Sequence, residues 1–264
     1  MTRIVYKFLA VSIVVGSGSA MGVRAEEVIP VDSVAAEAHM SRESIKGTKA
    51  AGIDMTRVPA SPGLHIVPLD QSPFVGSAAR QAARELADQA TKGAHVTRAG
   101  EVPNLRSPGL RPGGRSRRAV SATPHPSLES IRPQLRYEPI SVRGTMLEKT
   151  PLVEATTAGG LRDGRWTGVT RAWEVPGLGY VQLDESEYRE SGGSITMVQE
   201  WLNTDVHGSP ASIQTKRERR GKALVALAWV TDSTVFRMNL QPLDPAAVKS
   251  NEEALLALAR SLGG

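Results

Sequence analysis

An α+β fold is predicted for the second half of this 264-residue chain. The expected form is an antiparallel sheet of five to seven strands covered by a C-terminal amphipathic helix, after a long, mostly disordered N-terminal region. Three observations predict it. All four tryptophans (Trp166, Trp173, Trp201, Trp229) lie beyond residue 135. Period-two segments separated by turn residues run from Trp166 to Leu240. A leucine stripe closes the chain.

The first 25 residues read as a secretory signal peptide. Arg3 and Lys7 precede a run from Phe8 to Val15 that is apolar except for Ser12, and Val23, Arg24 and Ala25 surround a cleavage point. A spanning helix needs roughly 20 apolar residues. Here Gly16 to Ser19 interrupts the run, so cleavage near Ala25 is favoured over an uncleaved anchor. Later stretches fall well short of spanning length, so no stable membrane span is expected in the mature chain. Export places the protein in the periplasm or outside the cell. The chain has no cysteine, which excludes disulfides, thiolate catalysis and a lipid anchor on sulfur.

Residues 26–134 contain eleven of the seventeen prolines and, of the aromatic residues, only Phe74. With so few large apolar side chains, the segment by itself cannot offset the entropy of ordering its backbone, so it is expected to be mostly disordered. One helix is expected within it, from Ser77 to Thr91, with Ser77 as N-cap and Gly93 just past the end. Residues 103–126 then form a Pro/Gly/Arg linker. Its arginines, Arg106, Arg111, Arg115, Arg117 and Arg118, have no acid among them and form a candidate polyanion contact. An extended, solvated tether is the favoured reading, because the aromatic partners of a nucleic-acid site are missing. Losing Arg3, Lys7 and Arg24 with the signal lowers the net charge from +5 to +2. Nucleic acid is not expected as a partner in this compartment.

In residues 135–264, Trp166 to Val175 alternates, with Val169, Arg171, Trp173 and Val175 on one face. Pro176 and Gly177 turn the chain into Tyr180 to Leu183. Ser194 to Asn203 fits both periods, and its β-branched residues favour a strand. Ala211 to Arg217, the apolar Ala223 to Val230, and Val235 to Leu240 then form a meander with turns at residues 218–221 and 232–233. Ser250 to Glu253 has the pattern of a capping box, with Asp244 and Pro245 offering an earlier start, and Leu255, Leu256, Leu258, Ala259 and Leu262 form the apolar stripe. The tryptophans are expected to anchor the core. The stretch from Asp205 to Ala211, Leu227 to Trp229, and the terminal run Glu253 to Leu262 together resemble the tail of bacterial extracytoplasmic sensor domains. This resemblance covers about the last sixty residues and implies a sheet-plus-helix fold and an envelope location.

Catalytic and metal-binding patterns are weak. The histidines at 39, 65, 95, 125 and 207 show no metal-ligand spacing. Only His207 falls in the segment expected to fold, in a turn. The acidic group Asp184, Glu185, Glu187 and Glu190 lacks the alternation of a calcium loop and reads as a solvated loop. No cofactor or metal is expected. The function expected from the sequence is therefore an exported, non-enzymatic interaction or accessory protein of the bacterial envelope, an α+β domain on a flexible basic arm. Its partner would be an envelope protein or an anionic cell-surface polymer. The alternatives are an exported hydrolase with His207 as general base beside Asp184 or Glu187, and an inhibitor or chaperone of another exported protein.

Overall fold

The computed structural model describes residues 52–106, 127–190, 192–219 and 221–263. The signal segment, and most of the basic linker, lie outside the described residues. Strand β1 (Gly63–Val67), helix α1 (Gly76–Lys92) and strand β2 (His95–Thr97) come first. They are followed by β3 (Leu152–Arg162), β4 (Arg165–Val175), β5 (Gly179–Glu187), β6 (Ser194–Val198), β7 (Thr204–Val206), β8 (Ser209–Glu218), β9 (Ala223–Val230), β10 (Thr234–Pro242) and α2 (Val248–Arg260).

The main sheet has eight strands rather than five to seven, in the order β2-β8-β9-β10-β5-β4-β3 with β7 paired to β8. Two features raise the count. Leu152–Arg162 pairs with β4 through two bulges that disturb its alternation. His95–Thr97 joins from the N-terminal half and runs parallel to β8, so the sheet is not wholly antiparallel. A separate two-stranded parallel sheet joins β1 to β6.

One face of the sheet follows the alternation in the sequence. Trp173 and Val175 of β4 meet Val181 and Leu183 of β5, Met238 and Leu240 of β10, and Val225, Leu227 and Trp229 of β9. Leu255, Leu258, Ala259 and Leu262 of α2 close this layer. Trp229 stacks on Phe236 with ring centroids 4.8 Å apart. Helix α2 begins at Val248, upstream of Ser250, so the capping-box residues sit inside the helix rather than at its cap. Asp244 instead accepts from the Ala246 amide, and Asn251 donates to the Asp244 carbonyl, fastening the entry to the helix.

Arg171 and Glu185 form an ion pair inside the sheet, exposed by only 2% and 1%. The second carboxylate oxygen of Glu185 accepts from the Ile140 amide at 2.8 Å, and Arg171 donates to the Ile140 carbonyl at 2.8 Å. The pair therefore pins the chain entering the sheet to β4 and β5. Desolvation pushes the Glu185 carboxyl up, opposed by the charge of Arg171.

The N-terminal half departs most from expectation. Residues 52–106 are folded against the sheet rather than disordered. Phe74, Ala78 and Ala82 share a buried cluster with Val198 and Trp201, and β1 and β2 each pair with a strand from beyond residue 190. The burial that stabilises this segment comes from elsewhere in the chain, where local composition cannot register it. Farther on, Glu218 accepts from the Gly100 amide, Gln241 from the Leu105 amide, and Arg106 pairs with Glu174, so residues 100–106 form a strap from β8 to β4 that bonds three of the five strands it spans. The N-cap of helix α1 lies two residues earlier than expected, at Val75 rather than Ser77. Gly93 ends it in the left-handed region at φ 68°, its amide bonded to the Gln89 carbonyl. Ser194 to Asn203 divides into β6 and a 3-10 turn at Gln199–Trp201 that carries Trp201 into the cluster on α1.

Candidate functional site

Helix α1 has two working faces. Ala78 and Ala82, with Leu86 partly buried, pack on Phe74, Val198 and Trp201. Gln81, Glu85, Asp88 and Lys92 recur at helical spacing and form a polar stripe alongside. The reversal at Gly93 brings His95 back along β8, in register with Lys216. The polar stripe therefore meets a histidine and a lysine at the sheet edge.

The contacts there are specific. Glu85 is buried and accepts from Gln81 at 2.9 Å and from Lys216 at 3.2 Å. Asp88 lies 2.8 Å from Nδ1 of His95. Bonds from Lys92, chiefly, and from His95 hold the Asp88 carboxyl below its ordinary value, so it acts as the acceptor and His95 carries a proton on Nδ1. Nε2 of His95 faces Glu85 at 4.0 Å, beyond hydrogen-bond distance. One turn beyond Glu85, Gln89 donates to Glu252 at 3.3 Å and accepts from the Thr215 amide at 3.3 Å.

These groups border a cleft of about 600 Å³ between α1, β8 and the Glu200 to Asn203 corner. Leu86, Ala87, Ala90 and Trp201 supply its apolar wall, and Glu85, His95, Gln214 and Lys216 are among its polar lining. Both carboxylate oxygens of Glu200 accept from the Leu69 amide, which fixes that rim.

The residues singled out from sequence lie elsewhere. His207 occupies the turn between β7 and β8 at φ 51°, exposed, with Nε2 3.2 Å from the Leu262 carbonyl. Asp184 on β5 accepts from Thr170 at 2.6 Å and from Gln182 at 2.9 Å, and Glu187 ends the same strand. Strands β9 and β10 separate β5 from β8, placing His207 at least about 14 Å from β5 at ordinary strand spacing. The fold does not join His207 to Asp184 or Glu187. The acidic group expected in a solvated loop is largely structural: Asp184, Glu185 and Glu187 are strand residues, and Glu185 is buried in its ion pair. Of the linker arginines, Arg106 pairs with Glu174 at 2.7 Å, and Arg111, Arg115, Arg117 and Arg118 lie outside the described residues. Among the described residues, no group of three or more histidine or acidic side chains is placed to hold a metal ion, and no helix is long and apolar enough to cross a membrane.

Glu85, His95 and Lys216 went unrecognised in the sequence because Glu85 fell on a helix expected to bury little and His95 in a segment expected to be disordered. A local signal exists: the polar repeat Gln81, Glu85, Asp88 and Lys92 lies beside the alanine face, and the Gly93 terminator comes just before a histidine. Comparison with protein-family models, with curated proteins and with solved structures finds no match.

Proposed function

We propose that this chain is an exported accessory protein of a bacterial envelope that acts by binding, its α+β domain presented on a basic arm, and that the cleft between α1 and β8 is its recognition site. The observation that carries this reading is the internal bracing of the cleft. Glu85 is held by Lys216 and Gln81, Asp88 by His95 and Lys92, and Gln89 by Thr215 and Glu252. A concavity already braced in this way loses little conformational freedom when it is filled, which favours binding. The Thr215 hydroxyl donates to Glu252, so the hydroxyl in the lining is engaged structurally rather than offered as a nucleophile. Export rests on the N-terminal segment, and the arginines of the arm add affinity for an anionic envelope polymer or protein.

A photo-crosslinking side chain at Ala87, which is exposed and lines the cleft, tests the reading in cells. The expected result is a discrete adduct in the envelope fraction from position 87, none from the exposed Glu253 on α2, and a mature N-terminus at Glu26 by mass spectrometry. A mature, exported protein that gives no adduct at position 87 would overturn the assignment of the cleft.

A further inference from the structure

The main sheet ends on one side at β3, an edge strand of 11 residues. Among the described residues no strand pairs with its outer edge, so a row of backbone amides and carbonyls there is open to another chain. Devices that blunt such an edge are sparse. The strand has no proline or lysine, and its charged residues are Glu154 and Arg162 alone. Two bulges bend its ends and leave residues 154–158 as the regular stretch between them. Five large apolar side chains are exposed among the described residues, and two of these, Val153 at 51% and Leu161 at 49%, flank that stretch.

The spacing of these side chains matches a second copy of the same strand. Antiparallel pairing of β3 with itself about Thr157 sets Val153 opposite Leu161 of the second copy, and by symmetry Leu161 opposite Val153. Both apolar pairs form at once, one at each end of the regular stretch. In that register Glu154 faces Gly160 and Arg162 faces Leu152, so no like charges are opposed, and Glu154 lies one diagonal step from Arg162 of the second copy. We infer that two copies of this chain associate through β3 in this register, joining their main sheets into one. The association goes beyond the binding role of the cleft and does not depend on it. The cleft beside β8 lies five strands from β3, on the far side of the sheet, and stays open in the pair. On the reading of the cleft proposed above, a dimer presents two recognition sites eleven strand spacings apart, about 50 Å along the sheet, which strengthens its hold on a partner that repeats across the envelope.

Sedimentation velocity on the mature chain, over about 1–100 μM, should show a reversible monomer-dimer equilibrium. Val153→Lys and Leu161→Glu each set a charge against an apolar side chain at both ends of the interface, and each should weaken the dimer roughly tenfold or more. Both sites are exposed, so the thermal midpoint of either variant should stay close to that of the unsubstituted chain. Mixing the two variants tests the register. A mixed dimer puts the introduced lysine opposite the introduced glutamate at one end and keeps Leu161 opposite Val153 at the other, so association should recover to near its original strength. Hydrogen exchange of those amides of residues 154–158 that are not bonded to β4 should slow as the protein concentration rises. A chain that stays monomeric throughout this range, or a dimer that neither substitution weakens, would overturn the interface. A monomer in which those amides are already protected would overturn it too, and would assign the edge to residues 107–126 of the same chain. Dissociation of both single variants with no recovery on mixing would overturn the register about Thr157.

Discussion

Removing either partner of the Arg171–Glu185 pair is expected to destabilise the domain far more than removing both. Both side chains are almost wholly buried, and both also bond the backbone of Ile140. Arg171→Met leaves the Glu185 carboxylate with the Ile140 amide as its remaining donor, and Glu185→Leu leaves a guanidinium over the Trp173 ring, 5.5 Å from its centroid. Each stranded charge should cost about 3–5 kcal/mol. For a domain of this size that lowers the thermal midpoint by roughly 6–20 °C. The double variant strands no charge, and its cost is the two lost bonds to Ile140, about 2 kcal/mol together. Urea denaturation near neutral pH, followed by tryptophan fluorescence, measures all four corners of the cycle. Single losses below about 1 kcal/mol, or a double variant as unstable as the two singles added together, would refute a desolvated, mutually dependent pair.

Other expectations follow from particular groups. Tyr180 is pushed up to about 12, chiefly by burial and then by the nearby Glu154 charge, with Arg106 opposing; burial also raises Tyr137 and Tyr188. For these acids the folded value lies above the unfolded one, so their contribution is intact below about pH 10 and is lost as pH rises through the folded values. Tyrosinate absorbance should therefore stay low past pH 10 and rise together with unfolding, and ionisation of all three at the free value would contradict their burial. Asp88 is shifted the other way, so its contribution is present above the ordinary carboxylate value and is lost as pH falls through the lower folded one. Asp88→Asn should flatten the acid loss of α1 amide protection below about pH 4, and an unchanged acid profile would count against the Lys92 and His95 bonds. His207→Asn, exposed and in a backbone region that asparagine tolerates, should change stability by no more than about 0.5 kcal/mol and leave the crosslink at position 87 intact. Trypsin is expected to cut first at Arg115, Arg117 or Arg118. The two fragments should co-elute until denaturant is added, because α1, β1 and β2 are packed and paired across the cut; free release of the N-terminal fragment would contradict that docking.

What was legible in the sequence was what neighbouring residues enforce on one another. The alternation of Val169, Arg171, Trp173 and Val175 put these side chains on the buried face, and the stripe from Leu255 to Leu262 placed the closing helix on the core. The turns at residues 218–221 and 232–233, and Gly93 as the end of α1, were equally local, since each needs only its own backbone conformation. The capping-box pattern at Ser250 misplaced the start of α2 because the segment from Asp244 to Ala247 makes its own bonds upstream. The site was the least legible part. Glu85 and His95 seemed to belong to a segment without a core, and nothing within ten residues of either announces Lys216.

By itself, the sequence determined the α+β class, the strands of the meander, the terminal helix and the impossibility of thiol chemistry, because periodicity and composition act over a few neighbouring residues. Tertiary structure alone decided that residues 52–106 fold, that β2 joins the sheet in parallel, and that Glu85, His95 and Lys216 meet at one cleft with Asp88 beside it. The physical reason is where the stabilisation comes from. An alanine-faced helix and a three-residue strand cannot offset their own ordering entropy, and they gain order only from Trp201, β6 and β8, more than a hundred residues away along the chain.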